Sequence, residues 1–297
     1  MKTHSTPNIP GSDSSIFSPR TMSWKPGWLQ FKEASMQGDV SQLLKKATQL
    51  VQSADTKEKV LEVIETYEDA LRIEPKNREA LSGAASYSFL IAAGYSSHKG
   101  EKRTYYSRTI TYSEQVMYLN HEFANLVDKG EQVWEACRVL SKNDLESLFL
   151  YYLGVGILWR ECLSGLGRMV SLKMVLGGKK VPKAMIEIDP TWRAGTPYYA
   201  RANYYATIPR FAGGDVKKAE EDYKKAIELG PDMLNFRRTR ALTLHTKNKD
   251  RAAFKKDLHW VISQDPHKVR PHLAYPYVVF IQRSARDVLE HIDDYFE

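Results

Sequence analysis

Beyond a polar opening stretch, apolar residues recur at intervals of three and four, the spacing that lines one face of a helix. Runs of strict apolar and polar alternation bounded by turn residues, the sign of strands, are missing. The pattern predicts an all-α chain of about twelve helices, over residues 39–54, 57–74, 77–96, 101–119, 121–140, 143–170, 171–188, 196–209, 215–229, 233–247, 251–264 and 271–296. The segment from Leu148 is apolar nearly all round at its start, which predicts burial among neighbours. Its apolar run ends at Arg160 and Glu161, well short of the roughly 20 residues that span a bilayer, so no transmembrane helix is expected.

Stacking the segments that end in proline shows a repeat: YEDALRIEP at 67–75, KAMIEIDP at 183–190, DYKKAIELGP at 222–231 and LHWVISQDP at 258–266. Ala219, Tyr223, Ala226 and Pro231 match the second half of a tetratricopeptide repeat, in which small residues let two helices approach and an aromatic wedges between them. Proline then ends the helix, because it has no backbone donor. Pro231 and Pro266 stand 35 residues apart, close to the roughly 34-residue period, and Phe254, Leu258 and Val261 fill the corresponding positions. Val63, Tyr67, Ala70 and Pro75 form a third unit, with Leu81 where the next unit's large first-helix residue belongs. Neither Asn203 nor Arg238 supplies the expected tryptophan, so the array is tetratricopeptide-like with degenerate repeats. Asp215, after Gly213 and Gly214, is placed to cap a helix.

A chain of 297 residues with 42% hydrophobic content can fill a substantial core. Residues 1–27, rich in Ser, Pro, Thr and Gly, read as a disordered polar leader without the apolar stretch of a secretory signal, and 28–297 as a single helical-repeat domain. The net charge of +7 is spread over 43 basic and 36 acidic residues, without the concentrated stripe of a nucleic-acid-binding protein. Two groups, Lys99, Lys102, Arg103 and Arg108, then Arg237, Arg238 and Arg240, are expected to be solvated helix faces. Cys137 and Cys162 fit small buried side chains and suggest neither a disulfide framework nor a metal site.

No nucleophile, Walker loop, HExxH or CxxC pattern is present, so no catalytic site, metal or cofactor is expected. His267 and His272, five apart with Pro271 between, share no helix face. GLGRMV at 165–170 lacks the preceding strand of a dinucleotide loop. Gly154, Gly156, Gly165 and Gly167 leave room for a neighbouring helix or for a ligand, with helix packing the default. Tyr198, Arg201 and Tyr205 lie near one helix face and offer apolar area with polar tips, suited to core packing, an interface or an amphipathic ligand. Arg201 is the residue placed to take a ligand carboxylate in bidentate fashion, with a surface salt bridge as its plainer role.

The stretch YYARANYYATIPRFAGGDVKKAEEDYKKAIELGP at 198–231, above all PRFAGGDVKKAEEDY, resembles the T component of tripartite ATP-independent periplasmic (TRAP) transporters. LFLYYLGVGILWR at 148–160, LGGKKVPKAMIEIDPTW at 176–192 and YEDALRIEPKNREALSGAASYSFL at 67–90 are similar to other parts of that family, so the resemblance covers roughly 57–266. It implies a non-enzymatic helical-repeat protein that binds the periplasmic solute-binding component, often as a homotrimer, around a hydrophobic cavity. A cavity of that kind is expected here to be lined by Phe149, Tyr152, Gly156 and Trp159 together with Tyr198, Arg201 and Tyr205, holding a hydrophobic or carboxylate-bearing ligand. The resemblance implies a periplasmic location, with the export signal removed from this sequence; the alternative is a cytoplasmic helical-repeat scaffold for protein partners.

Overall fold

The computed structural model describes residues 26–266, 268 and 273–296, and the leader before Pro26 and both His267 and His272 lie outside them. Among the described residues the chain is helical throughout, with no strand. The described residues divide into two compact units, the first comprising those up to 48 and 60–175, the second 49–59 and those from 176 onward.

The first unit holds a 3-10 turn at Gly27–Gln30, most of α1 (Val40–Val51) and α2 (Lys57–Ile73), then α3 (Arg78–Leu90), α4 (Lys99–Tyr118), α5 (His121–Asp128), α6 (Val133–Ala136), α7 (Leu145–Ile157), α8 (Gly165–Val170) and most of α9 (Leu172–Gly177). Side chains start several of these: Asn77 accepts from the Ala80 amide, and Asn120 from the amides of Glu122 and Phe123. Each such cap contributes about 1 kcal/mol by satisfying donors that have no partner inside the helix. Helix α4 occupies the centre, packed against α3, α7 and the first 3-10 turn. Every residue from Tyr106 to Met117 is buried. Close approach is possible because Gly154 of α7 faces α4: a Cβ there would stand 2.8 Å from Ile110 Cγ1.

This placement corrects the expectation that Lys99, Lys102, Arg103 and Arg108 form one solvated face. Arg108 is only 1% exposed. Its guanidinium donates to Glu68 of α2, whose Oε1 also accepts from the Tyr112 hydroxyl at 2.6 Å. A helix enclosed on several sides must pair its charges internally.

Three long helices expected from the apolar pattern are interrupted. The span 121–140 breaks where Gly130 adopts φ 95°, a left-handed stop favoured at glycine, before the chain restarts at α6. The span 143–170 ends in a π turn at Leu158–Cys162; Leu163 is extended, and Ser164 caps α8 by accepting from the Gly167 amide. The span 171–188 splits between α9 and α10 at the Gly177–Gly178 pair.

The second unit contains α10 (Lys180–Ile188), α11 (Trp192–Thr207), α12 (Val216–Leu229), α13 (Leu234–Arg240), α14 (Arg251–Ser263) and α15 (Tyr275–Glu290). Asp215 caps α12 as expected, accepting from the amides of Lys217 and Lys218. Ala219, Tyr223 and Ala226 on α12 and Phe254, Leu258 and Val261 on α14 are all fully buried, the packing role their spacing predicts. At the start of α11, Arg193, Ala194 and Gly195 take left-handed angles, and a Cβ on Gly195 would stand 2.9 Å from Leu229 Cβ, so the regular turns begin at Thr196 and Pro197.

Arg237, Arg238 and Arg240 are not a solvated face either; all three are half-buried. Arg240 binds Asp257 through two parallel bonds of 2.7 Å, Arg237 lies over the Trp260 ring at 4.3 Å, and Arg238 donates to Ser284. Side-chain partners on α14 and α15, invisible in a local charge count, draw them inward.

Candidate functional site

The first unit holds a concavity of about 360 Å³. Its walls are built from five places in the sequence. Pro26 and Trp28 come from the first 3-10 turn, Val127 from α5, Gly130, Glu131 and Gln132 from the following turn, Val133 and Trp134 from α6, and Tyr151 from α7. Val170, Ser171, Lys173 and Met174 close it from α8 and α9.

Trp28 is held firmly. Its ring stacks on Tyr118 with centroids 5.6 Å apart and meets Phe123 edge-on. Gly27 beside it is pinned from both sides, its amide donating to the Glu114 carboxylate and its carbonyl accepting from Gln115 Nε2 at 3.1 Å. Only glycine fits there, because a Cβ would stand 2.5 Å from the Thr111 carbonyl oxygen. A Gly-Trp pair thus places one aromatic wall against α4.

The electrostatics of the lining are simple. Burial, and after it the Glu114 carboxylate, hold the Tyr151 phenol well above its ordinary value, so it stays a neutral hydroxyl at neutral pH. Glu131 is engaged by Arg138 through bonds of 2.6 and 3.0 Å, and these hold its carboxyl below the usual carboxylate range. Lys173 adds a cation. Aromatic and aliphatic walls with one neutral hydroxyl, one paired carboxylate and one ammonium suit a molecule with an apolar body and an anionic or hydrogen-bonding end. Among the described residues no group of His, Cys, Asp or Glu is arranged to hold a metal ion.

The residues expected from the sequence lie elsewhere. Phe149, Tyr152, Gly156 and Trp159 belong to the first unit, and Tyr198, Arg201 and Tyr205 to the second; none of them lines this concavity, although Tyr151 between the first two does. Phe149 is buried, while Tyr152 is half-buried. Gly156 faces open space, with nothing within 4 Å of a Cβ built on it, unlike Gly154. Trp159 donates its indole N–H to the Arg168 carbonyl at 3.0 Å.

In the second unit Arg201 Nε and NH2 donate to the two oxygens of Asp222 at 2.7 and 2.8 Å, so the fork is filled from α12. Tyr198 lies under the Arg201 guanidinium at 5.6 Å and Tyr205 under the Lys218 ammonium at 5.8 Å. The Arg201–Asp222 pair recurs as Arg240–Asp257, with the two aspartates 35 residues apart like the prolines that follow them.

Trp28, Trp134, Lys173 and Met174 were not singled out by sequence reasoning. A faint signal existed in Pro-Gly-Trp at 26–28, where a large apolar residue follows a turn-forming pair at the edge of a polar leader. Nothing comparable marks Trp134, whose exposure to the concavity depends on the break at Gly130.

A family model described as TRAP transporter T-component matches residues 96–296. No curated protein matches the chain.

Proposed function

That this chain belongs to the TRAP transporter T-component family, a family of transporter accessory proteins and not of enzymes, is the premise from which we propose its function. It acts as a binding component of a TRAP-type transport system, engages the solute-binding protein in the periplasm as a homo-oligomer, and takes a hydrophobic or amphipathic ligand in the first unit. The observation that carries the ligand reading is the concavity of about 360 Å³ walled by Trp28, Trp134 and Tyr151. That volume falls within the roughly 300–1,000 Å³ of small-molecule sites. The Lys173 ammonium supplies a counter-charge for a carboxylate, and tryptophan rings give rigid apolar area.

Native mass spectrometry tests the reading, with the protein alone, with TRAP solute-binding proteins from the same source, and with laurate as the probe amphiphile. The expected result is an oligomer that captures such a protein and retains laurate. Met174→Trp, which adds a ring where the side chain is half-buried, should weaken laurate retention without loss of thermal stability. A monomer that ignores every such protein and retains no laurate would return the chain to the reading of a general helical-repeat scaffold.

A further inference from the structure

Large exposed apolar side chains are few among the described residues, and they are concentrated. Leu166, Met169, Val170 and Leu172 lie within seven consecutive residues of α8 and α9, at 67%, 73%, 56% and 36% exposure. Leu166, Met169 and Val170 are spaced three and four apart, so they share one side of α8. The segment is fixed to the unit beneath it. Trp159 donates to the Arg168 carbonyl at 3.0 Å and Arg168 donates to the Arg160 carbonyl at 2.7 Å, while within the segment Ser171 Oγ donates to the Gly167 carbonyl at 2.6 Å. A segment so tied presents its apolar side as a preformed ridge. A cluster of this kind marks an interaction surface, whereas single exposed apolar residues do not.

The surroundings are basic. From Cys162 to Val175 the chain contains no acidic residue and carries Arg168 and Lys173. The adjacent acid, Glu161, is matched by Lys102 and Arg160, each at 3.1 Å. Burial, and after it the Glu161 charge, raise the Cys162 thiol above its ordinary value, against the smaller opposing pull of Lys102, Lys99 and Arg103. Apolar residues interspersed with lysine and arginine and free of acids form the pattern by which a helix lies in the headgroup region of an anionic bilayer. No helix among the described residues is long and apolar enough to cross one.

We propose that the α8–α9 ridge, Leu166, Met169, Val170 and Leu172 within its basic surround, docks the protein on an anionic lipid surface. The apolar side chains enter the acyl boundary while the exposed Arg168 and Lys173 meet lipid phosphates. The ridge borders the concavity of the proposed function, and Val170 and Lys173 belong to both, so the vesicle assay is run without laurate to keep the two readings distinguishable.

The test is co-sedimentation of the full chain with phosphatidylcholine vesicles and with vesicles carrying about 30% phosphatidylglycerol. The wild type should bind the anionic vesicles, and bind them less as salt is raised, because each basic side chain acts within a Debye length of about 8–10 Å. Leu166→Asp with Met169→Asp should lower partitioning by about tenfold or more, and the milder pair of serines by less. Phe211→Asp, which removes a 91% exposed aromatic from the second unit, should bind like the wild type. Matching circular dichroism and melting temperatures would establish that each variant is folded. Binding that survives the double aspartate variant would assign the attraction to the net charge and overturn the proposal. So would absence of binding to either vesicle, or a wild-type oligomer that the double variant dissociates without any vesicle binding, which would make the ridge a contact between copies.

Discussion

Replacing Arg108 by Met should be among the most damaging substitutions in the first unit. The Arg108 and Glu68 side chains are only 2% and 8% exposed, and without the guanidinium the Glu68 carboxylate keeps just the Tyr112 hydroxyl of the two groups now bonded to its Oε1. Burial, and after it the Glu68 charge, drive the Tyr112 phenol far above its ordinary value, so it donates a hydrogen bond and brings no charge. Breaking a buried pair by removing one partner costs about 3–5 kcal/mol, because the remaining charge has lost both water and counter-ion. Removing both charges costs far less, so Arg108→Met combined with Glu68→Gln should recover about 2 kcal/mol or more of the single variant's loss. The assay is urea unfolding followed by tryptophan fluorescence. With a slope of about 2 kcal/mol/M, the single variant should move the first-unit transition down by about 2 M. A single-variant loss below about 1 kcal/mol, or a double variant equal to the sum of the singles, would refute the view that the pair is one buried electrostatic unit.

In the second unit Arg201→Lys should cost about 1 kcal/mol, since an ammonium keeps the charge but cannot make two parallel bonds to Asp222, and Arg201→Ala about 2–3 kcal/mol, both read as shifts in melting temperature. Equal effects of the two would argue against bidentate geometry. Gly214→Ala should destabilise by about 1–3 kcal/mol or more, because its Cβ would stand 1.8 Å from the Ile208 carbonyl oxygen, whereas Gly100→Ala, with nothing within 4 Å, should be tolerated. Asp257 should make the second unit acid-sensitive: burial raises its pKa, but hydrogen bonds from His245 and Arg240 outweigh that and leave it below the ordinary 3.8. A depressed carboxylate contributes stability above the unfolded value that is lost as pH falls through the folded one, so thermal stability should drop as pH is lowered from about 4. Asp257→Asn should remove that part of the pH dependence while lowering stability at neutral pH.

The helical class and much of the register were legible in the sequence because they follow from local rules. Period-3.6 apolar spacing, Asp215 ahead of α12 and the alanine-aromatic pattern of Ala219, Tyr223 and Ala226 each act within one or two turns, and each has the predicted place in the structure. The resemblance carried by PRFAGGDVKKAEEDY was legible for the same reason, and it identified the family. What only the tertiary structure decided is which surfaces are covered. Helix α4, written as KGEKRTYYSRTITYSEQVMY, looks like a solvent-facing helix and is buried from Tyr106 to Met117, because α3, α7 and the Gly27–Gln30 turn enclose it and internal partners such as Glu68 accept its polar groups. Conversely, Leu166, Met169 and Val170, expected to continue the apolar helix over 143–170, are exposed, because the chain breaks at Leu163 and Ser164 and restarts as α8. The concavity belongs to the same class of fact: Trp28 and Trp134 line it although more than a hundred residues separate them in the chain. Burial is a property of neighbours brought together by chain reversals, and a local pattern contains no information on where those neighbours are.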